Sequence, residues 1–194
     1  MWSRSRISLI STKRSVPDYA RIAVRKVYLL CKVHGIDDKR GHDESMSVPF
    51  QLRPYRAEDE DAAIALWLAT WQRAYPAIDF AARVGRWRER WRHELVPNAS
   101  ILVAEQADAL IGFVTIDPAG YLDQLVVAPD HWGSALATAL LDQAKQLSPD
   151  RITLLVNADN ARAIAFYRRN GFVQAGEDVN PSSGRPVLRM VWKP

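Results

Sequence analysis

At 194 residues the chain is long enough for one well-cored domain and too short for two comfortable ones, and with 48% of its residues hydrophobic a packed core is expected. The net charge of +4 divides unevenly: residues 1–45 hold ten Lys and Arg against five Asp and Glu, whereas residues 46–194 hold sixteen against seventeen. A near-neutral main part argues against nucleic-acid binding by the globular domain, and the single cysteine, Cys31, excludes an internal disulfide, a CxxC metal site and a cysteine nucleophile beyond residue 45.

Residues 1–45 mix Ser, Arg and Lys with short apolar runs, too interrupted for a signal peptide. The Arg/Ser-rich start is compatible with a transit peptide, although Asp18, Asp37, Asp38, Asp43 and Glu44 weigh against one. The favoured expectation is a basic, poorly ordered extension or an upstream start, with Met46 opening a single domain over residues 46–194. No run approaches membrane-spanning length, and the four histidines lack metal-ligand spacing, so neither a membrane partner nor a metal is expected. The expected location is cytoplasmic.

From residue 50 the elements follow in readable order. A strand at 50–54 precedes a helix that opens on the acidic run 58–61, where negative charge suits a helix N-terminus. That helix carries Trp67 and Trp71, and a second helix at 81–95 carries Trp87 and Trp91 at the same i, i+4 spacing, which reads as core packing before pocket lining. Residues 101–105 and 110–116 read as a hairpin, 121–128 as a strand and 133–147 as a helix with Leu136, Leu140, Ala144 and Leu147 on one stripe. A strand at 151–157, a helix at 160–171, and strands at 172–177 and 187–192 complete the order β, α, α, β, β, β, α, β, α, β, β.

Two stretches carry chemistry. In the helix between Asn160, a starting residue, and Gly171, a stopping residue, Asn160, Ala163, Ile164 and Tyr167 share one face, and Ala163 keeps it low enough for a ligand to approach. Tyr167 is then either a core aromatic or a proton donor. In residues 126–141 a strand ends at Pro129, and the small residues Gly133, Ser134, Ala135 and Ala137 leave first-turn amides uncovered, an arrangement that suits a phosphate as well as a close-packed βα turn. Neither a P-loop nor a G-x-G-x-x-G pattern is present.

Taken together and in this order, the two stretches resemble the GCN5-related N-acetyltransferase (GNAT) superfamily over roughly residues 51–193. The motif V-x-P-x-x-[Q/R]-G-x-G-x-[G/A] is met at Val127, Pro129, Gly133 and Ala137, with Trp132 where Gln or Arg is usual and Ala135 where Gly is usual. The motif N-x-x-A-x-x-F-Y-x-x-x-G-F is met in full at Asn160, Ala163, Phe166, Tyr167, Gly171 and Phe172. The resemblance implies an α/β fold with a central mixed, mostly antiparallel sheet flanked by helices. It also implies acetyl-CoA as cosubstrate and acetyl transfer to a primary amine by direct attack in a ternary complex, on a small-molecule or peptide acceptor. A homodimer stays open.

By the same resemblance Leu125, Val126 and Val127 would pair with the pantetheine arm, and Trp132, Gly133, Ser134, Ala135, Leu136, Ala137 and Thr138 would surround the pyrophosphate. Asn160 would contact the cofactor, Tyr167 would protonate the leaving thiolate, and the amide of Val126 or Val127 would meet the developing oxyanion. An alkylammonium must lose its proton before attack, and Asp123 is the candidate base. The acceptor would be shaped near 75–79 and 181–185. The Trp132 and Ala135 departures keep a non-catalytic coenzyme A-binding module as the alternative. A weaker third reading is a nucleic-acid or membrane role for the basic extension, with steep salt dependence as its signature.

Overall fold

The computed structural model describes residues 50–180 and 183–194. The expectations for residues 1–45, and for Pro181 and Ser182 in the acceptor loop, lie outside the described residues.

Strands β1 (Gln51–Pro54), β2 (Ser100–Gln106), β3 (Ala109–Ile116) and β4 (Leu122–Val127) form an antiparallel sheet in that order. The β2–β3 turn is made by two residues alone, Ala107 and Asp108, both at positive φ, the geometry that matches strand twist in a tight hairpin. Both faces of this sheet are covered, which is why its strands read as near-continuous apolar runs. Ile101, Val103, Phe113 and Val126 face α1 (Glu60–Ala74) and α2 (Val84–Arg90), where they pack with Ala63, Ile64, Trp67, Trp87 and Trp91. Leu102, Ala104, Val114 and Val127 face the other way, towards α3 (Leu136–Leu147) and the second sheet.

The indoles are core, as expected: Trp67 stacks on Trp87 with centroids 4.7 Å apart, and Trp91 is fully buried against Phe113. The helix expected at 81–95 is less regular than its spacing suggests. After α2 the chain widens into a π-helical stretch, Trp91–Leu95, and ends in an α-turn, Val96–Asn98. In a uniform α-helix residues four apart drift about 40° per step around the axis, and the wider turn offsets that drift so that Trp87, Trp91 and Leu95 all stay inside.

The second sheet has the order β5 (Ile152–Asn157), β7 (Pro186–Trp192), β6 (Val173–Val179), again antiparallel. Before β6 comes α4 (Ala161–Arg169). The two sheets meet at one parallel bridge, Tyr121 to Thr153, where the Thr153 amide donates to the Gly120 carbonyl at 2.9 Å. Among the described residues no other main-chain hydrogen bond joins β4 to β5. Their C-terminal halves, 125–127 and 155–157, therefore leave each other unpaired, and the expected mixed sheet is realised as two antiparallel sheets hinged on a parallel contact.

Candidate active site

The gap between β4 and β5 is lined by main chain. The Ala128 amide donates to the Ile111 carbonyl at 2.8 Å, and Val127 lies opposite Gly112. In an antiparallel ladder this alternation turns the Val126 amide into β3 and points the Leu125 and Val127 amides away from it, towards the gap. Of the two amides expected at the oxyanion, only that of Val127 is so directed. The Val127 carbonyl is already engaged, accepting from Trp132 Nε1 at 2.8 Å and from Thr70 Oγ1 at 3.3 Å.

Asp123 sits at a bulge, where Thr115 opposes Gln124 and Ile116 opposes Leu122, so that one extra residue is inserted in β4. Its carboxylate accepts both arms of the Arg90 guanidinium, one at 3.0 Å, and the Gln124 side-chain amide at 2.7 Å. The candidate base is thus engaged in a bidentate charge-assisted pair that anchors the β4 bulge to Arg90.

After β4 the chain makes a short 3-10 turn, Pro129–His131, and α3 begins only at Leu136, three residues later than the expected start at Gly133. Gly133 has φ +89°, a left-handed conformation that no helix admits and that glycine adopts without penalty. The Ser134 amide and hydroxyl both donate to the His131 carbonyl, and the Leu136 amide donates to Ser134 Oγ. Ser134 and Leu136 are thereby spent within the protein, and the Leu136 side chain is buried in the core. The amides of Gly133, Ala135, Ala137 and Thr138 have no partner among the described residues. Four free donors in one short loop at the positive end of a helix fit a phosphate or diphosphate.

Helix α4 is closed at both ends by its own sequence. Asn160 Oδ1 accepts from the Ala163 amide at 3.1 Å. At the other end Phe172 N–H donates to the Tyr167 carbonyl and Gly171 N–H to that of Arg168, a Schellman closure that requires Gly171 at φ +85° and brings the Phe172 ring within 5.3 Å of Tyr167. Tyr167 belongs to the same buried cluster as Val127 and Leu136, and its hydroxyl has no hydrogen-bond partner among the described residues. Burial pushes this phenol well above its ordinary pKa.

A cleft of about 280 Å³ opens where α1 ends, beside the Gly133 turn and the start of α4; Arg73, Tyr75, Trp132, Asp159 and Arg162 are on its wall. Tyr75 donates to Asp159 Oδ1 at 3.1 Å and accepts from Asn157 Nδ2 at 3.0 Å. Arg185 lies over the Tyr75 ring at 4.5 Å and pairs with Asp159. Two segments expected to shape the acceptor, around residues 75 and 185, are thus clasped together through Asp159. Neither Asp159 nor Asn157 was identifiable as a site residue from spacing alone; the polar run N-A-D-N between strand and helix is the signal that places them. Among the described residues no cluster of three or more His, Cys, Asp or Glu side chains could hold a metal ion, and no helix is long and apolar enough to cross a membrane.

Comparison with known proteins agrees with this geometry. Residues 57–172 match the sequence profile of the Acetyltransferase (GNAT) family. The peptidyl-lysine N-acetyltransferase YjaB of Salmonella typhimurium is 27% identical over 144 residues, covering 73% of this chain and 97% of that protein. The mycothiol acetyltransferase of Kineococcus radiotolerans is 34% identical over 146 residues, covering 69% of this chain but 46% of the longer relative. Among solved structures, the PaiA N-acetyltransferase of Thermoplasma acidophilum in complex with coenzyme A shares the fold, with a TM-score of 0.60 at 22% identity over 75% of this chain and 99% of that one.

Proposed function

The chain belongs to the acetyltransferase (GNAT) family, and from that premise we propose that its gap and cleft carry out acetyl transfer by direct attack of an amine within a ternary complex. The protein is an acetyl-CoA-dependent N-acetyltransferase. Bound acetyl-CoA supplies an activated acetyl thioester.

The chain's own groups do the rest. The unpartnered amides of Gly133, Ala135, Ala137 and Thr138 hold the diphosphate, and the amides of Leu125 and Val127 face the pantetheine arm. The Val127 amide meets the negative charge that grows on the acyl oxygen. Tyr167, kept protonated by burial, donates to the departing thiolate as the carbon–nitrogen bond forms and the carbon–sulfur bond breaks. Asp123 holds the β4 bulge through Arg90, and the ammonium proton leaves to solvent at the open cleft. The observation that carries this reading is the gap itself: two parallel strands joined by one bridge, with outward-facing amides on β4.

For the acceptor, the reading favours a primary amine of the peptidyl-lysine kind, because the alignment to a protein of that name spans nearly its whole length. Thiol release from acetyl-CoA should be followed with a lysine-containing peptide and with small primary amines. Release with the peptide is the expected result. Calorimetry that detected no coenzyme A binding would sink the reading, and binding without turnover on any amine would leave a non-catalytic coenzyme A module in its place.

A further inference from the structure

The side chain at position 132 is Trp, where the family motif carries Gln or Arg, so the loop has lost a polar side chain beside its free amides. The indole is fixed from one edge by the hydrogen bond from Nε1 to the Val127 carbonyl. Its face carries a cation: Arg162 Cζ lies 3.5 Å from the ring centroid. A guanidinium lying on a ring keeps its N–H groups around its rim, available to acceptors in its own plane. Arg162 is the second residue of α4, so this contact joins the helix of Tyr167 to the phosphate loop.

Neither Arg162 nor Arg73 forms an ion pair among the described residues, and both line the same cleft. The acid on that wall, Asp159, is taken by Arg185 and Tyr75. The cleft therefore presents uncompensated positive charge beside the Gly133 turn. Desolvation lowers the Arg162 pKa and no opposing acid restores it, as expected of a cation awaiting an anionic partner.

We infer that Arg162, held over the Trp132 ring, is the cation that binds the diphosphate of coenzyme A, in place of the polar side chain usual at position 132. This rests on the coenzyme A reading above. Free amides contribute dipoles but no net charge, whereas a guanidinium offers paired N–H donors that match phosphate oxygens. Trp132 is the positioning residue: it holds the long arginine side chain in place before the ligand arrives, which reduces the ordering cost of binding.

The test is calorimetric titration of coenzyme A and of dephospho-coenzyme A, which retains the diphosphate but lacks the 3′-phosphate, into wild type, Arg162→Ala, Trp132→Leu and the double variant. Each is measured between about 50 and 300 mM salt, with ligand-free melting as the fold control. Arg162→Ala should weaken both ligands about tenfold or more, flatten the salt dependence and leave the melting temperature unchanged. Trp132→Leu should weaken both in the same direction, and the double variant should be no weaker than Arg162→Ala alone, because ring and cation act as one unit. Wild-type affinity in Arg162→Ala would overturn the inference, as would weakening of coenzyme A alone, which would move the contact to the 3′-phosphate. Weakening with an unchanged salt slope and a lower melting temperature would return Arg162 to a structural role. A wild type that bound neither ligand would instead overturn the coenzyme A reading on which the inference rests.

Discussion

A phenol donates a proton only while it holds one, and the burial of Tyr167 keeps it protonated through the whole range in which an enzyme works. Tyr167→Phe should lower turnover by about a hundredfold, towards the lower end for a positioned general acid, while leaving the dissociation constant of coenzyme A within twofold. Thiol-release kinetics beside calorimetry separate the two, and unchanged turnover would return Tyr167 to a core aromatic. The same burial has a consequence for stability. Because the folded pKa is raised above the unfolded value of about 10, the contribution is fully present below that pH and is lost as pH rises beyond it, since the unfolded chain then ionises first. Alkaline unfolding of Tyr167→Phe should therefore fall off less steeply above pH ~10 than that of wild type, although the half-buried Tyr55, Tyr75 and Tyr121, also raised by desolvation, share the effect.

Between elements, two arginines fix the parts that frame the site through ion pairs. Arg90 ties α2 to the β4 bulge through Asp123, with a third of the arginine side chain still exposed. Asp123→Asn should lower stability by about 1–2 kcal/mol, the figure discounted for that exposure. Turnover well below the melting temperature should stay near wild type; a large fall in turnover without a change in melting would make Asp123 the base after all. Arg53 tethers β1 to the turn before α1 through Asp59, at 2.7 and 2.8 Å, and to β2 through Glu105. The Arg53 hydrogen bonds hold the Asp59 carboxyl below the usual carboxylate range, so its stabilisation is complete above pH ~4 and lost as pH falls through the depressed folded value. Arg53→Ala leaves Asp59 buried without its partner and should cost about 3 kcal/mol at neutral pH. In an acid melting series the variant should also lose less of its remaining stability below pH ~4 than wild type does.

Over the whole molecule, what could be read in advance was whatever has a local cause. Strands β2, β3 and β4 are buried on both faces and so announce themselves as apolar runs, and α4 carries its own stop in Gly171, whose left-handed φ also fixes Phe172 against Tyr167. The two motifs located the loop and the helix of the site. Contacts between distant residues had no such signature: nothing near Leu125 shows that β4 and β5 separate, and the use of the Ser134 and Leu136 amides within the loop depends on hydrogen bonds, not on residue type. The clasp of Tyr75, Asp159 and Arg185 joins residues up to 110 apart, and the π-helical stretch answers a packing demand set by the opposite sheet. The same distinction between local and distant causes bears on the basic N-terminal segment. Its charge is a property of composition alone, whereas the family match covers residues 57–172 and the strand that closes the first sheet begins at Gln51. A chain beginning at Met46 should therefore melt within about 2 °C of the full chain, a change below roughly 1 kcal/mol for a domain of this size, and should bind coenzyme A equally well at every salt concentration. Loss of affinity at low salt alone would show that residues 1–45 attract the anionic ligand over long range, and loss at every salt concentration would place them within the folded site.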